Sequence, residues 1–158
     1  MKKFTLTCCV LVAAFSQATA QASKDLFDGN INAFAVYTSQ HSAGGVNMTY
    51  NKLNLLMQKQ ITYLKNTIST SMATYAADST KASADMRAST GANNARQHSA
   101  AEAEVRKTQA ELGPINQYKT NLATDNTLMT NINTLFKNST ANKDAIIAAL
   151  HQFASTLH

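Results

Sequence analysis

Proline occurs once in the 158 residues, glycine five times and tryptophan not at all. A β-sandwich or barrel needs a turn every ten residues or so, and this chain has too few turn-forming residues to supply them. Charged residues contribute only 15% and apolar ones 44%, a balance that argues against disorder throughout and for one buried core in one ordinary-sized domain. No apolar run reaches the roughly 20 residues of a membrane span. The sequence also contains no phosphate loop, dinucleotide fingerprint or G-x-S-x-G elbow. Glu102 and Glu104 stand two apart, so on a helix they point to different sides and do not form a two-carboxylate site. The reading is of a protein that is not an enzyme.

Cysteine is confined to Cys8 and Cys9, and both lie in a segment with a purpose of its own. Lys2 and Lys3 precede a short apolar run from Phe4 to Phe15, and Ala18-Thr19-Ala20 offers a small-x-small cleavage site. This is the layout of a secretory signal peptide over residues 1–20. Cleavage removes two lysines and both cysteines, which lowers the net charge from +5 to +3 and leaves a chain, 21–158, without a thiol. Disulfides, a cysteine nucleophile and thiolate metal sites are then excluded, and stability rests on apolar burial. The expected destination is the periplasm, the cell surface or the medium, with no membrane span after cleavage.

What the chain does have is helical periodicity. Phe27, Ile31 and Phe34 recur at steps of four and three within Lys24–Gln40, and Gly44-Gly45 reads as the turn that follows. The longest stripe is Val46, Tyr50, Leu53, Met57, Ile61, Leu64, Ile68, Met72 and Tyr75. A third runs Ile115, Tyr118, Leu122, Met129, Ile132 and Phe136, with Asp125 standing at one seam position. A fourth comprises Ile146, Leu150, Phe153 and Leu157, with Asn142 placed to cap its helix. Between the second and third stripes, residues 76–109 are mostly Ala, Ser, Thr, Asn and charge.

Folding the chain back at Gly91-Ala92-Asn93-Asn94 sets residues whose numbers add to about 185 opposite one another. Bulky stretches then face bulky stretches, and Ala-rich ones face Ala-rich ones. The expected fold is therefore all-α: a helical-bundle base of about four helices carrying a long antiparallel helical hairpin, with 76–109 as its slender end. A rival reading breaks the long arms near Asp78 and at Gly113-Pro114. The hairpin end offers Met86, Arg87, Gly91, Asn93, Asn94, Arg96 and His98 as candidate partner-binding residues.

Other chemistry-bearing residues give less. His151 and His158 lie two turns apart, too far to share a metal on their own, so no metal and no cofactor is expected. Asp125 reads as a helix-edge residue or as a partner for Lys52, Lys59 or Lys119; the alternative role is a register device in an apolar seam. The lysines and arginines are dispersed and are not interleaved with aromatics, so nucleic acid is not an expected partner. Met48, Met57, Met72, Met86 and Met129 fall largely on the apolar stripes and read as core.

Three function classes follow. The first is an exported helical interaction or structural protein of the bacterial envelope, whose partners are other envelope or secretion-machinery proteins and whose oligomeric state stays open. In size, export signal and long helical hairpin this layout is similar to the minor pilus subunits of bacterial type IV secretion systems, although no motif carries the likeness. The second is a periplasmic holdase chaperone, the best-known small family of which begins with β-strand sequence where Lys24–Gln40 here reads as helix. The third is a helical bundle binding lipid or haem, with His41, His98 and methionines as axial ligands.

Overall fold

A computed structural model describes residues 23–89 and 95–157. The signal-peptide reading at 1–20, the fold-back residues Gly91, Asn93 and Asn94, and His158 lie outside them. The described residues form α1 (23–39), α2 (Ala43–Ser89), α3 (Ala95–Ala110), α4 (Leu112–Phe136) and α5 (Lys143–Ala154), with no strand among them. The protein is all-α. None of these helices is long and apolar enough to cross a membrane.

The junction between α1 and α2 corrects the expected glycine turn. The Ser42 amide donates to the Tyr37 carbonyl at 2.9 Å and the His41 amide to the Thr38 carbonyl at 3.2 Å. This is the bond pattern of a helix stop whose left-handed residue is usually glycine. Here His41 takes that place, with φ of 54°, and no described glycine has a positive φ. Ser42 then opens α2: its carbonyl accepts from the Val46 amide at 2.9 Å, and its hydroxyl from the Gly45 amide at 3.4 Å. Gly44 and Gly45 lie inside the first turn of α2. Gly45 is required there by packing, since a Cβ at that position would sit 2.5 Å from Cγ and Cδ1 of the Tyr37 ring.

The chain divides into two compact units, one holding residues up to Ile61 and from Thr124 onward, the other Thr62–Ala123. In the first unit α1, the opening of α2, the end of α4 and α5 form a four-helix bundle. Phe27, Ile31, Phe34, Leu53, Met57, Ile132, Ile146, Leu150 and Phe153 fill its core. Phe27 stacks on Phe153 with ring centroids 5.7 Å apart. Tyr50 stacks on Phe136 at 3.5 Å and donates its phenol hydrogen to Asn133. Those two contacts join residues whose numbers add to about 185, as the fold-back register requires. Burial pushes the Tyr50 phenol above its ordinary pKa. Asn142 precedes α5, but its side chain makes no capping bond; it donates instead to the Leu135 carbonyl at 3.0 Å, near the last turn of α4.

In the second unit α2 continues through Asp78 without interruption, so that half of the rival reading fails. At 47 residues, α2 runs for about 70 Å. The other arm does break. Pro114 has no N–H to give the Ala110 carbonyl, and its ring collides with a carbonyl four residues back. The helix therefore ends at Ala110, the Glu111 amide turns to the Thr108 carbonyl at 3.1 Å, and α4 starts at Leu112. Buried residues in this unit are sparse and mostly small: Leu64, Ala82, Ser89, Ala101, Thr108 and Ile115. Lys107 sits above its ordinary pKa because Glu104 bonds and attracts it, with Asp78 and Glu111 adding to the field. The Ser89 hydroxyl lies 3.3 Å from Nδ1 of His98, which sets the end of α2 beside α3, again close to the register of the fold-back.

Candidate functional site

The ends of α2 and α3 meet around an open groove of about 340 Å³. Asp85, Ala88 and Ser89 line it from α2, and Gln97, Ala100, Ala101 and Glu104 from α3. Small alanine side chains let two helices approach closely. Asp85 and Glu104 add carboxylates to the groove lining, the latter paired with Lys107 at 3.2 Å.

Four of the seven candidate residues are described. Arg87 and Arg96 are exposed, Met86 and His98 half-buried. His98 is tied into a network. Its Nδ1 lies 3.3 Å from the hydroxyl of the buried Ser89, and its Nε2 lies 3.4 Å from Glu102. The second oxygen of Glu102 stands 3.8 Å from Arg106. Ser89 in turn donates to the Met86 carbonyl at 2.8 Å, with the Met86 sulfur at 3.9 Å. The order hydroxyl, imidazole, carboxylate is that of a hydrolase triad. Here, however, the Ser89 hydrogen is directed at the shorter contact, a main-chain carbonyl one turn back. The geometry is that of a cross-helix tie.

Sequence reasoning missed all seven lining residues: Asp85, Ala88, Ser89, Gln97, Ala100, Ala101 and Glu104. The four-residue step from His98 to Glu102 was a legible signal of pairing. Nothing local marks Ser89, because its role arises only when α3 comes alongside.

Asp125 departs from the expected edge position. It is fully buried in the first unit, whereas Lys52, Lys59 and Lys119 are exposed. Thr156 donates its hydroxyl to Asp125 Oδ1, and Gln60 Nε2 donates to the Thr156 carbonyl at 3.1 Å. This cluster holds the segment after α5 against α2 and α4. The methionines divide: Met57 is wholly buried and Met129 packs on the core, while Met48 and Met72 are exposed. His41 belongs to the first unit, beside a pocket of about 140 Å³ with Thr38, Asn47, Ser139 and Thr140, and His98 to the second. Among the described residues no three His, Cys, Asp or Glu side chains gather as a metal site would need.

Compared with family models, with curated proteins and with solved structures, the chain gives no match in any of the three.

Proposed function

We propose that the mature chain is an exported, non-enzymatic helical protein of the bacterial cell envelope, a minor pilus or secretion-machinery component that works by contacting other proteins. The observation that carries the reading is the groove between the ends of α2 and α3. Ser89 and Ala101 form its buried lining; Ala88, Ala100, Asp85 and Glu104 line it nearer the surface; and exposed arginines stand on the adjoining turns. An open groove lined by small and acidic side chains suits a partner side chain better than a small-molecule substrate, which a more enclosed site would hold. The N-terminal pattern supports export, and the loss of Cys8 and Cys9 on cleavage agrees with a fold that rests on its core alone.

The test is photo-crosslinking in living cells, with the reactive group placed at Ala88 or Gln97 and, as controls, at Lys65 or Lys119. The expected result is an adduct with one envelope protein from the groove positions, absent from the controls and abolished by Ala100→Arg, which fills the groove from an exposed helical position. The mature protein should also begin at Gln21 and fractionate outside the cytoplasm. Adducts spread evenly over all four positions, or retention of an intact N-terminus in the cytoplasm, would overturn the reading.

A further inference from the structure

The large apolar side chains left in contact with water are unevenly spread. Leu26 and Val36 on α1, and Met48, Leu55, Tyr63 and Met72 on α2, are exposed. In the first unit the exposed positions of α4 and α5 carry small or polar residues instead, such as Asn126, Thr130, Ala148 and His151. A scattered exposed leucine is ordinary. On α2, however, two of these residues share a line with lysine. Met48, Lys52, Leu55 and Lys59 follow one another at steps of four, three and four, and all four are exposed, Met48 by 47% and Leu55 by 53%. At about 100° per residue they fall within a sector of about 60°, along about 16 Å of helix. Val46, Tyr50, Leu53 and Met57 carry the opposite side of this stretch into the core, so the line faces straight out from the bundle. Neither lysine forms an ion pair with a described residue. Residues 43–77 hold Lys52, Lys59 and Lys65 and no Asp or Glu.

We propose that this face of α2 rests on the surface of an anionic lipid bilayer. The placing of the lysines chooses the bilayer over a protein partner. Protein interfaces put apolar side chains at a dry centre and keep lysine out of it. Here Lys52 and Lys59 stand in the line itself, before and after Leu55. At a bilayer surface that arrangement is favourable. Each lysine stem lies along the acyl boundary while its ammonium reaches a lipid phosphate, and Met48 and Leu55 sink between them. The lack of acids fits the same occupant. A protein partner is aligned by charges of both signs, whereas a negative plane sets no register and repels any carboxylate brought against it. The contact is peripheral, since no described helix is long and apolar enough to cross a membrane. The proposal stands on α2 alone, whether or not the groove between α2 and α3 takes a partner.

Co-sedimentation of residues 21–158, which contain all five helices, with lipid vesicles tests this. Phosphatidylcholine vesicles with about 30% phosphatidylglycerol should carry the protein down, and vesicles of phosphatidylcholine alone should bind it at least about fivefold less. Lys52→Gln and Lys59→Gln should each weaken partitioning by about fivefold, whereas Lys119→Gln, which removes the same charge from α4, should change it by less than about twofold. All three side chains are exposed, so the melting temperature should stay level. The chain has no tryptophan, so Leu55→Trp and Thr130→Trp each supply a single reporter. Anionic vesicles should shift the emission of Leu55→Trp to the blue, and brominated lipid should quench it; Thr130→Trp should show neither effect. Equal binding to both kinds of vesicle, an equal loss in Lys119→Gln, or bound Leu55→Trp with unmoved emission would overturn the proposal. So would the absence of vesicle binding, including the case in which a protein crosslinks at Leu55 instead.

Discussion

Two neighbouring glycines at the start of α2 should respond oppositely to the same substitution. Gly44 has no heavy atom within 4 Å of the place a Cβ would occupy, so Gly44→Ala meets nothing. It should stabilise the protein by about 0.5 kcal/mol through lost backbone freedom in the unfolded chain. At Gly45 the added methyl would press 2.5 Å from the root of the Tyr37 ring, which cannot swing aside as a flexible side-chain end would. Gly45→Ala should destabilise by about 1–3 kcal/mol, and the double variant with Tyr37→Ala should show most of that clash removed in a denaturation cycle. The pair also shows where residue-level reading stops. Two adjacent glycines look like a turn because glycine tolerates positive φ, but the left-handed position went to His41, one residue before Ser42. The need for Gly45 comes from a ring on another helix, and no window along the chain contains that information. Asp125 teaches the same from the other side. Its place in an apolar seam was visible, but its full burial depended on Thr156 arriving from beyond α5.

At the scale of elements, the arms of the fold-back differ because one contains a proline and the other does not. Replacing Pro114 by Ala restores an N–H that the Ala110 carbonyl lacks. Pro114→Ala should join α3 to α4, seen as slowed exchange of the amides from Glu111 to Ile115 and a small gain in helical ellipticity. A break that survives the substitution would shift the cause to Gly113. The helices themselves were largely legible. Phe27, Ile31, Phe34, Val46, Tyr50, Leu53, Met57, Ile61, Leu64, Ile146, Leu150 and Phe153 are all buried, as their three-and-four spacing requires. The stripe on α2 overran its burial, however. Ile68 and Tyr75 are only half-buried and Met72 is 36% exposed. Periodicity tells which side of a helix is apolar; whether something covers that side depends on what the facing helix carries. The groove was legible only as a region. Arg87, Arg96 and His98 stand next in sequence to groove residues without lining it, and the lining is alanine, serine and glutamine with two carboxylates, Asp85 and Glu104, that nothing in the sequence sets apart from other surface acids.

Across the whole molecule the two units rest on unlike cores. The first is filled by phenylalanines and branched aliphatics, the second by few large residues and several alanines, serines and threonines. Apolar burial stabilises at about 25 cal/mol per Å², so the second unit gains less from each helical turn and should open at lower cost. Brief trypsin exposure in mild urea should therefore cut at Lys81, Arg87, Arg106 and Lys107 before Lys52 and Lys59, all of which are exposed on helices in the folded chain. Early cutting at Lys52 would reverse that order of stability. One further trait of the helices concerns the surface they show to water. Thr74, Thr80, Thr120, Thr130 and Thr134, all on helix surfaces, turn their hydroxyls back to the carbonyl four residues earlier. At these positions solvent meets hydroxyls whose hydrogens are already spent within the helix, and the ion pairs Lys24–Asp28, Glu102–Arg106 and Glu104–Lys107 lie at the surface. Added salt screens exposed pairs such as these and leaves the hydroxyl-to-carbonyl bonds untouched, so the helices should hold together much as before when the ionic strength is raised.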